Sequence, residues 1–456
     1  MENYNHKNYD HKNYDHRSGA WTPQEAILSN VVRESRNHMK TAGIICEYNP
    51  FHNGHKKQLD YAREVLGCDA VILAMSGDFV QRGEPAILDK YSRAGAALRN
   101  GADLVLELPV SSVLSSAEGF ATAGVRLLDA AGADVLLFGA SYPDPALYRK
   151  VADILEKEPP SYQASLQKHL KEGFSYPHAR ALSLQEEFAG KIDHLKDFLL
   201  SPNDVLGIEY RKALDKIHSS MEFCPMKRIG AGYLDQEILG DTASASYIRK
   251  MISKSFYERD PFSITSFQNK LSKVLPEDSL RSLLDGQRKK TLLFADDLSS
   301  LLNYRLLMAD PLKKAIENAG DFQNRLQKEI FQYGTFNERA DSLKSKNITR
   351  SHICRLFCRM ILDLGPEDHD ASIAYFHVLG FTDKGRELLS NLHSHSKGIP
   401  IIVNPGSDQK KLTESQRKVL KEDLRAGEIC RMIREEKSGL HFPSEMRRKF
   451  LPIPEL

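Results

Sequence analysis

Two short phrases in this chain combine residue types and spacing that suit phosphate chemistry. The first is His52-Asn53-Gly54-His55, at the end of Glu47-Tyr48-Asn49-Pro50-Phe51-His52-Asn53-Gly54-His55. Its placement, after a short apolar run and at the start of a helical pattern, sets the chemistry. A helix N-terminus offers free backbone N–H groups and the positive end of a dipole. Two imidazoles there can donate to phosphate oxygens as charge builds on departing pyrophosphate. The glycine allows a close approach to the backbone. Positioning and electrostatics can carry such a reaction without an attacking side chain. Two surface histidines at a helix start are the plainer explanation, and the strand before and helix after them weigh against it.

The second phrase is Ala243-Ser244-Ala245-Ser246-Tyr247-Ile248-Arg249. Hydroxyls at a helix start cap it or bind phosphate, and an arginine one turn on can grip the same oxygens. An N-cap serine and a surface arginine would look the same in isolation. Together with the upstream histidines, the pair would flank one triphosphate.

Other charged residues are less specific. Asp78, Arg82, Glu84, Asp89 and Lys90 occupy a loop after a predicted strand. They suit either ligand binding or a solvated salt-bridged loop. The segment Lys344-Ser345-Lys346-Asn347-Ile348-Thr349-Arg350, continuing to Arg355 and Arg359, is basic and without acids, as phosphate contacts require. Met446-Arg447-Arg448-Lys449 is a weaker basic run. Cys354 and Cys358 share one helical face, but no second ligand pair follows, so a buried face is expected and no metal site is assigned.

The elements that must hold these residues follow one another regularly. Ala42–Cys46, Asp69–Met75, Leu104–Leu108 and Val135–Phe138 are short apolar runs, as strands buried on both faces require. Helical spacing fills Asn53–Leu66, and Gly67, Gly101 and Gly132 stand where helices would end. The alternation predicts a parallel sheet with helices on both faces, whose ligands bind beyond the carboxyl ends of the strands. The unusual residues fall there: Glu47–His55, Ser76–Pro85, Leu108-Pro109 and Gly139-Ala140-Ser141.

At 456 residues two or three domains are expected, each of roughly 100–200 residues. The predicted divisions are an N-terminal extension over 1–40, a nucleotide-binding domain over 41–255, a linker over 256–280 and a mainly helical domain over 281–456. The extension repeats His-Lys-Asn-Tyr-Asp, and its first half has too little aliphatic content to bury, so it is read as disordered. No apolar run reaches the ~20 residues of a membrane span, and no secretory signal is visible, so a cytoplasmic address is expected. The six scattered cysteines do not suggest a disulfide framework. A net charge of +2 confines any RNA site to a local patch. Nothing in the residues sets an oligomeric state.

The paired phrases resemble those of the HIGH-type nucleotidyltransferase superfamily. Finer phrases are similar to the bacterial tRNA(Met) cytidine acetate ligase family: residues 47–55, Met75-Ser76-Gly77-Asp78-Phe79-Val80-Gln81-Arg82-Gly83-Glu84-Pro85-Ala86, Asn100-Gly101-Ala102-Asp103 and Arg228-Ile229-Gly230-Ala231-Gly232-Tyr233. The likeness runs from Thr41 almost to the end and is densest up to Arg249. Leu379-Gly380-Phe381 and Lys344–Arg359 are its best later echoes. It departs from the superfamily pattern at Ala243 and Ala245, where isoleucine and serine are expected, and before Thr41 it has no counterpart.

The resemblance implies a Rossmann-like α/β nucleotidyltransferase domain followed by a mainly helical C-terminal domain. It implies an ATP-dependent, carbon–nitrogen bond-forming ligase acting in two steps. Acetate attacks the α-phosphate of ATP to give acetyl-adenylate, and the acetyl group passes to N4 of the wobble cytidine of elongator tRNA(Met). On that pattern ATP lies along Ile45, Cys46, Glu47, Tyr48, Asn49, Pro50, Phe51, His52, Asn53, Gly54, His55, Lys56, Lys57 and Gln58. His52 and His55 would serve its phosphates as the catalytic pair. Gly139 would line the base pocket, Asn203, Arg228 and Ile229 would close on the nucleotide, and Ser246 and Arg249 would complete the phosphate clamp. Lys344, Lys346, Arg350 and Arg355 would meet tRNA, and Mg2+ is expected with the triphosphate. Two rivals stand beside this reading. One is a small-molecule adenylyltransferase of the same superfamily. The other is a non-catalytic RNA-binding protein with a relic nucleotide pocket.

Overall fold

The computed structural model describes residues 39–189, 192–228, 238–255, 261–308, 320–345, 348–365, 373–395 and 398–448. The N-terminal extension up to residue 38, Ile229 with the glycine-rich loop after it, Lys346 and Lys449 lie outside these residues. Seven strands form the main sheet: β1 Thr41–Cys46, β2 Ala70–Ser76, β5 Leu104–Leu108, β6 Val135–Ala140, β7 Glu222–Lys227, β8 Phe376–Phe381 and β9 Ile401–Ile402. A two-stranded hairpin, β3 Phe79–Val80 and β4 Glu84–Pro85, stands at the end of β2. The sheet order is β7-β6-β1-β2-β5-β8-β9. All neighbours are parallel except β5 and β8.

β1 and β2 are buried along their whole length, which explains their unbroken apolar composition. From β1 the chain moves outward through β2 to β5, then returns to the opposite side of β1 as β6 and β7. The order therefore reverses between β1 and β6, where a crevice opens at the strand ends.

The recurring Gly-x-Asp phrases set the register of this sheet. Gly67, Gly101 and Gly132 all have positive φ after a helix, as the sequence predicts. Two residues later, each aspartate accepts a backbone N–H at the start of the neighbouring strand. Asp69 Oδ2 takes that of Lys40 (2.9 Å), Asp103 Oδ2 that of Val71 (2.7 Å) and Asp134 Oδ2 that of Thr41 (2.7 Å). Each returns its own N–H to a carbonyl on the same strand, Lys40, Val71 and Thr41 respectively. Strand entry is thus locked by a side chain and a main-chain bond together.

The helices relevant below are α1 Asn53–Glu64, α2 Lys90–Arg99, α3 Ala117–Ala130, α4 Pro202–Lys216, α5 Ala245–Ser255, α6 Pro261–Val274, α7 Arg350–Leu362 and α8 Glu414–Ser438. α6 fills much of the stretch read as a linker, and its Leu271 and Val274 pack with Ile248 and Ile252 of α5. The region after residue 281 is mainly helical, yet it also supplies β8 and β9 to the main sheet. Its helices share a core with the first half, where Phe79, Val110 and Leu114 meet Phe357, Ala426 and Cys430. Residues 40–456 form one compact unit. Cys354 and Cys358 are buried in that core, on the apolar face expected of them. No helix among the described residues is long and apolar enough to cross a membrane.

Candidate active site

The loop after β1 carries the first phrase, and local hydrogen bonds set its shape. Glu47 Oε1 accepts the Gln81 N–H (2.7 Å), and Asn49 Oδ1 accepts the Ile87 N–H (2.9 Å). Arg93 of α2, fully buried, donates to the carbonyls of Glu47 and Gly77. Tyr48 is held at φ +48°, a left-handed conformation unusual for a bulky side chain and common at functional sites.

His52 and His55 close a reciprocal cap on α1. His52 Nδ1 accepts the Gly54 N–H (3.1 Å), and His55 Nδ1 accepts the His52 N–H (3.2 Å). The rings stack with centroids 3.6 Å apart. Burial lowers the pKa of His52 to about 3 and that of His55 well below the usual value, with Arg228 adding to both effects. Both imidazoles are therefore neutral near pH 7. With each Nδ1 accepting a bond, the single ring proton of each must sit on Nε2. The loop thus fixes two neutral Nε2–H donors. Gly54 is needed for the cap itself, since a Cβ there would meet the His52 ring at 2.9 Å.

These donors face a cavity of about 230 Å3 at the β1/β6 crevice. Of the residues assigned to ATP from the sequence, Ile45, Cys46, Glu47, Tyr48, Asn49, His52, His55, Gln58, Gly139, Asn203, Arg228, Ser246 and Arg249 line it. A second lobe of about 150 Å3 shares both histidines, Gln58, Gly139, Asn203 and Arg228, and adds Gly54 and Lys57. Among the described residues, four assigned ones border neither lobe. Pro50 and Phe51 are buried, with Phe51 edge-on to Tyr48. Asn53 donates to the carbonyls of Asp241 and Lys273, and Lys56 pairs with Asp60.

Ser244 is the N-cap of α5, accepting the Tyr247 N–H (3.2 Å), and the cavity meets the start of this helix at Ser244, Ala245 and Ser246. Arg249, one turn on, reaches back to the first phrase. It donates to the Asn49 carbonyl (2.8 Å) and pairs with Glu84 (2.8 Å). Both phrases therefore border one space. Three arginines (Arg82, Arg228, Arg249) face a single carboxylate, Glu47, among the described lining residues. That excess of positive charge suits a polyphosphate.

The sequence reading did not assign Gln81, Arg82, Phe120, Phe138, Leu206, Tyr210 or Ser244 to this cavity. Gln81 and Arg82 follow the end of β2, within the Ser76–Pro85 stretch that the strand-end rule singles out, where Arg82 suits either ligand binding or a salt-bridged loop. Phe120, Leu206 and Tyr210 sit on α3 and α4, where helical spacing alone does not separate a cavity wall from core.

The basic segment lies beside this site. α7 is pressed against the β3–β4 hairpin at Gly83, whose φ is +78° and where a Cβ would fall 2.3 Å from the Arg355 backbone nitrogen. Arg355 Nη1 lies 3.4 Å from the Gln81 carbonyl, on the loop that walls the cavity. Lys344 is exposed, and Arg350 pairs with Asp341 (2.7 Å) while reaching Asn337. Arg359 departs from the expectation of a continuous surface: it is buried and donates to the carbonyls of Ser111 and Gly365, so it holds the core together.

Glu107, His377 and Glu445 form the one cluster of potential metal ligands found among the described residues. The Lys90 ammonium already sits among them, 2.8 Å from Glu107 and 2.6 Å from Glu445, and meets their charge.

Known proteins resemble this chain over most of its length. The sequence profile of the HIGH Nucleotidyl Transferase family matches residues 39–441. The tRNA(Met) cytidine acetate ligase of Acetivibrio thermocellus is 36% identical over 374 residues, 80% of this chain and 88% of that relative. Its counterpart in a Thermoanaerobacter species is 36% identical over 411 residues, 89% of this chain and 98% of the relative. Two crystal structures of Thermotoga maritima TmcAL share the fold. The apo form I has a TM-score of 0.81 at 31% identity, and form II, bound with alpha-thio ATP, has 0.80 at 30%. Each match covers 91% of this chain and 100% of the solved one.

Proposed function

The chain belongs to the HIGH nucleotidyl transferase family, and we propose that within it this protein is a tRNA(Met) cytidine acetate ligase. It uses ATP to activate acetate and passes the acetyl group to a cytidine of tRNA(Met). The observation that carries this reading is the cavity bordered by both phrases, lined by His52 and His55 from the first and by Ser246 and Arg249 from the second.

In this account the adenosine rests against Phe138, Gly139, Leu206 and Tyr210, and the triphosphate extends toward the starts of α1 and α5. An acetate oxygen attacks the α-phosphorus, and the bond to pyrophosphate breaks. The two Nε2–H groups and Arg249 stabilise charge on the leaving pyrophosphate, at sites fixed before ATP arrives. No proton moves in that step. In the second step the exocyclic N4 of the wobble cytidine of elongator tRNA(Met) attacks the acetyl carbon and AMP departs. Lys344, Lys346, Arg350 and Arg355 steer the RNA backbone to the cavity mouth.

Among the described lining residues the cavity offers one carboxylate, which does not fit a divalent-cation site built by protein ligands alone. Mg2+ enters only as the counter-ion that a triphosphate brings.

The test is ATP-dependent pyrophosphate release, with and without acetate and tRNA, followed by nucleoside analysis of the tRNA. Acetate-dependent release with acetylated cytidine supports the ligase. Release that ignores acetate and answers to a phosphorylated metabolite returns the small-molecule adenylyltransferase.

A further inference from the structure

The transfer step creates a chemical requirement that the adenylation step lacks. An exocyclic N4 amine of cytosine is a weak nucleophile, because its lone pair is delocalised into the ring. As the C–N bond forms, one N4 proton must leave. The departing AMP is a phosphate monoester and needs no proton of its own, so the site must supply one acceptor and no donor.

The described residues of the cavity leave few acceptors. His52 and His55 are unsuitable, since each Nδ1 lone pair accepts a backbone N–H and each Nε2 carries the proton. The Arg82, Arg228 and Arg249 side chains have no basic lone pair at neutral pH. Burial keeps Cys46, Tyr48 and Tyr210 protonated, pushing all three above their ordinary values. The amides of Asn49, Gln58, Gln81 and Asn203 and the hydroxyls of Ser244 and Ser246 are not basic. Glu47 remains.

Its position suits the role. Glu47 stands directly after the last residue of β1, the strand beside the crevice where the sheet order reverses. Its Oε1 is fixed by the Gln81 N–H, while its Oε2 receives no hydrogen bond from a described residue. Resting on the ligase reading above, we infer that the Glu47 carboxylate is the general base of acetyl transfer. The N4 lone pair attacks the acetyl carbon, the bond from that carbon to the adenylate oxygen breaks, and the N4 proton moves to Glu47 Oε2. The proton passes to solvent after AMP leaves, restoring the carboxylate. Burial raises the proton affinity of this group. Arg82, Arg249 and the Gln81 N–H oppose that rise, and Glu84 adds to it. Arg93, Cys46 and Tyr210 also stand within its field. The outcome is a carboxylate more basic than one in water.

The experiment compares Glu47→Gln and Glu47→Asp with the unsubstituted protein in two assays. One is acetate-dependent exchange of pyrophosphate into ATP, which reads adenylation. The other is single-turnover acetylation of tRNA from preformed acetyl-adenylate at pH 5 to 9. Glutamine keeps an oxygen for the Gln81 N–H but cannot take the proton. The expected result for Glu47→Gln is a transfer rate that falls about 100-fold further than adenylation and loses the acidic limb of its pH profile. Glu47→Asp should recover part of the transfer rate and restore that limb. Transfer and adenylation falling in parallel would overturn the assignment and make Glu47 a structural residue. Transfer unaffected in Glu47→Gln would overturn it too, and give the proton to the adenylate's own phosphate. Absence of acetylated tRNA from the unsubstituted protein would count against the ligase reading itself.

Discussion

The His52 and His55 rings stack 3.6 Å apart while each Nδ1 accepts a backbone N–H from the same turn of chain. Two neutral donors are therefore fixed before any substrate binds. The His-x-Gly-His phrase is at once a helix cap and a phosphate site. Its chemistry depends on keeping a proton at Nε2, which the cap enforces.

Replacing either donor should cost catalysis more than folding. His55→Asn should lower the rate of acetate-dependent pyrophosphate exchange by about 100- to 1000-fold, the range for loss of one preorganised donor. The same two side chains give a pH signature. Their folded-state pKa values lie below the ordinary histidine value, so the unfolded chain binds more protons once the pH drops below about 6.5. Stability is then lost as pH falls, by about 1 kcal/mol per histidine at one unit below that value. Denaturant melts from pH 7 to 5 should show this decline, and it should flatten in a protein with both histidines replaced by asparagine.

Arg249 joins the two phrases by holding the Asn49 carbonyl and Glu84 at once. Arg249→Lys keeps the charge but cannot span both acceptors and a phosphate. The KM for ATP should rise at least about tenfold in Arg249→Lys and no less in Arg249→Ala, a factor of ten corresponding to about 1.4 kcal/mol. Full activity in the lysine variant would show that charge alone suffices.

Asp103 locks the sheet. It accepts the Val71 N–H, pairs with Arg63 and accepts from the Thr382 hydroxyl (3.2 Å) just after β8. Asp103→Ala should destabilise the protein by about 2–4 kcal/mol, because it leaves a buried N–H and a partly buried guanidinium without their acceptor. Urea denaturation measures this, and a change below about 0.5 kcal/mol would argue against the register lock.

Lys344→Gln combined with Lys346→Gln should weaken tRNA binding without altering ATP binding. The slope of log affinity against log salt should become shallower by roughly one to two, as expected for two lost phosphate contacts. Filter binding at several salt concentrations tests it. Arg359 serves as the contrast, since its removal should lower thermal stability instead.

Much of the fold was legible because strands buried on both faces leave apolar runs, as in β1, β2 and β6, and in β5 up to Glu107, whose buried carboxylate is met by Lys90. β8 was not read as a strand. His377 and Gly380 interrupt its apolar pattern, and both are explained only by neighbours distant in sequence. His377 is paired with Glu107, and Gly380 leaves room for Leu98. The stretch from 256 to 280 has mixed composition that reads as a linker, yet residues such as Leu271 and Val274 pack into a core. The phosphate residues were legible because a helix start needs particular residue types. The apolar wall of Phe120, Leu206 and Tyr210 was not, because helical spacing does not say which buried side chains face a cavity. The tautomers of His52 and His55 required the cap geometry itself.

Incubating the protein with ATP, acetate and bacterial tRNA, then measuring pyrophosphate and analysing the nucleosides of the recovered tRNA, decides whether it is an acetate ligase. A ligase of this kind releases pyrophosphate only when acetate is present, and leaves N4-acetylcytidine confined to the wobble position of elongator tRNA(Met). Release without acetate, or acetate-dependent release that leaves every cytidine unmodified, would contradict the ligase reading.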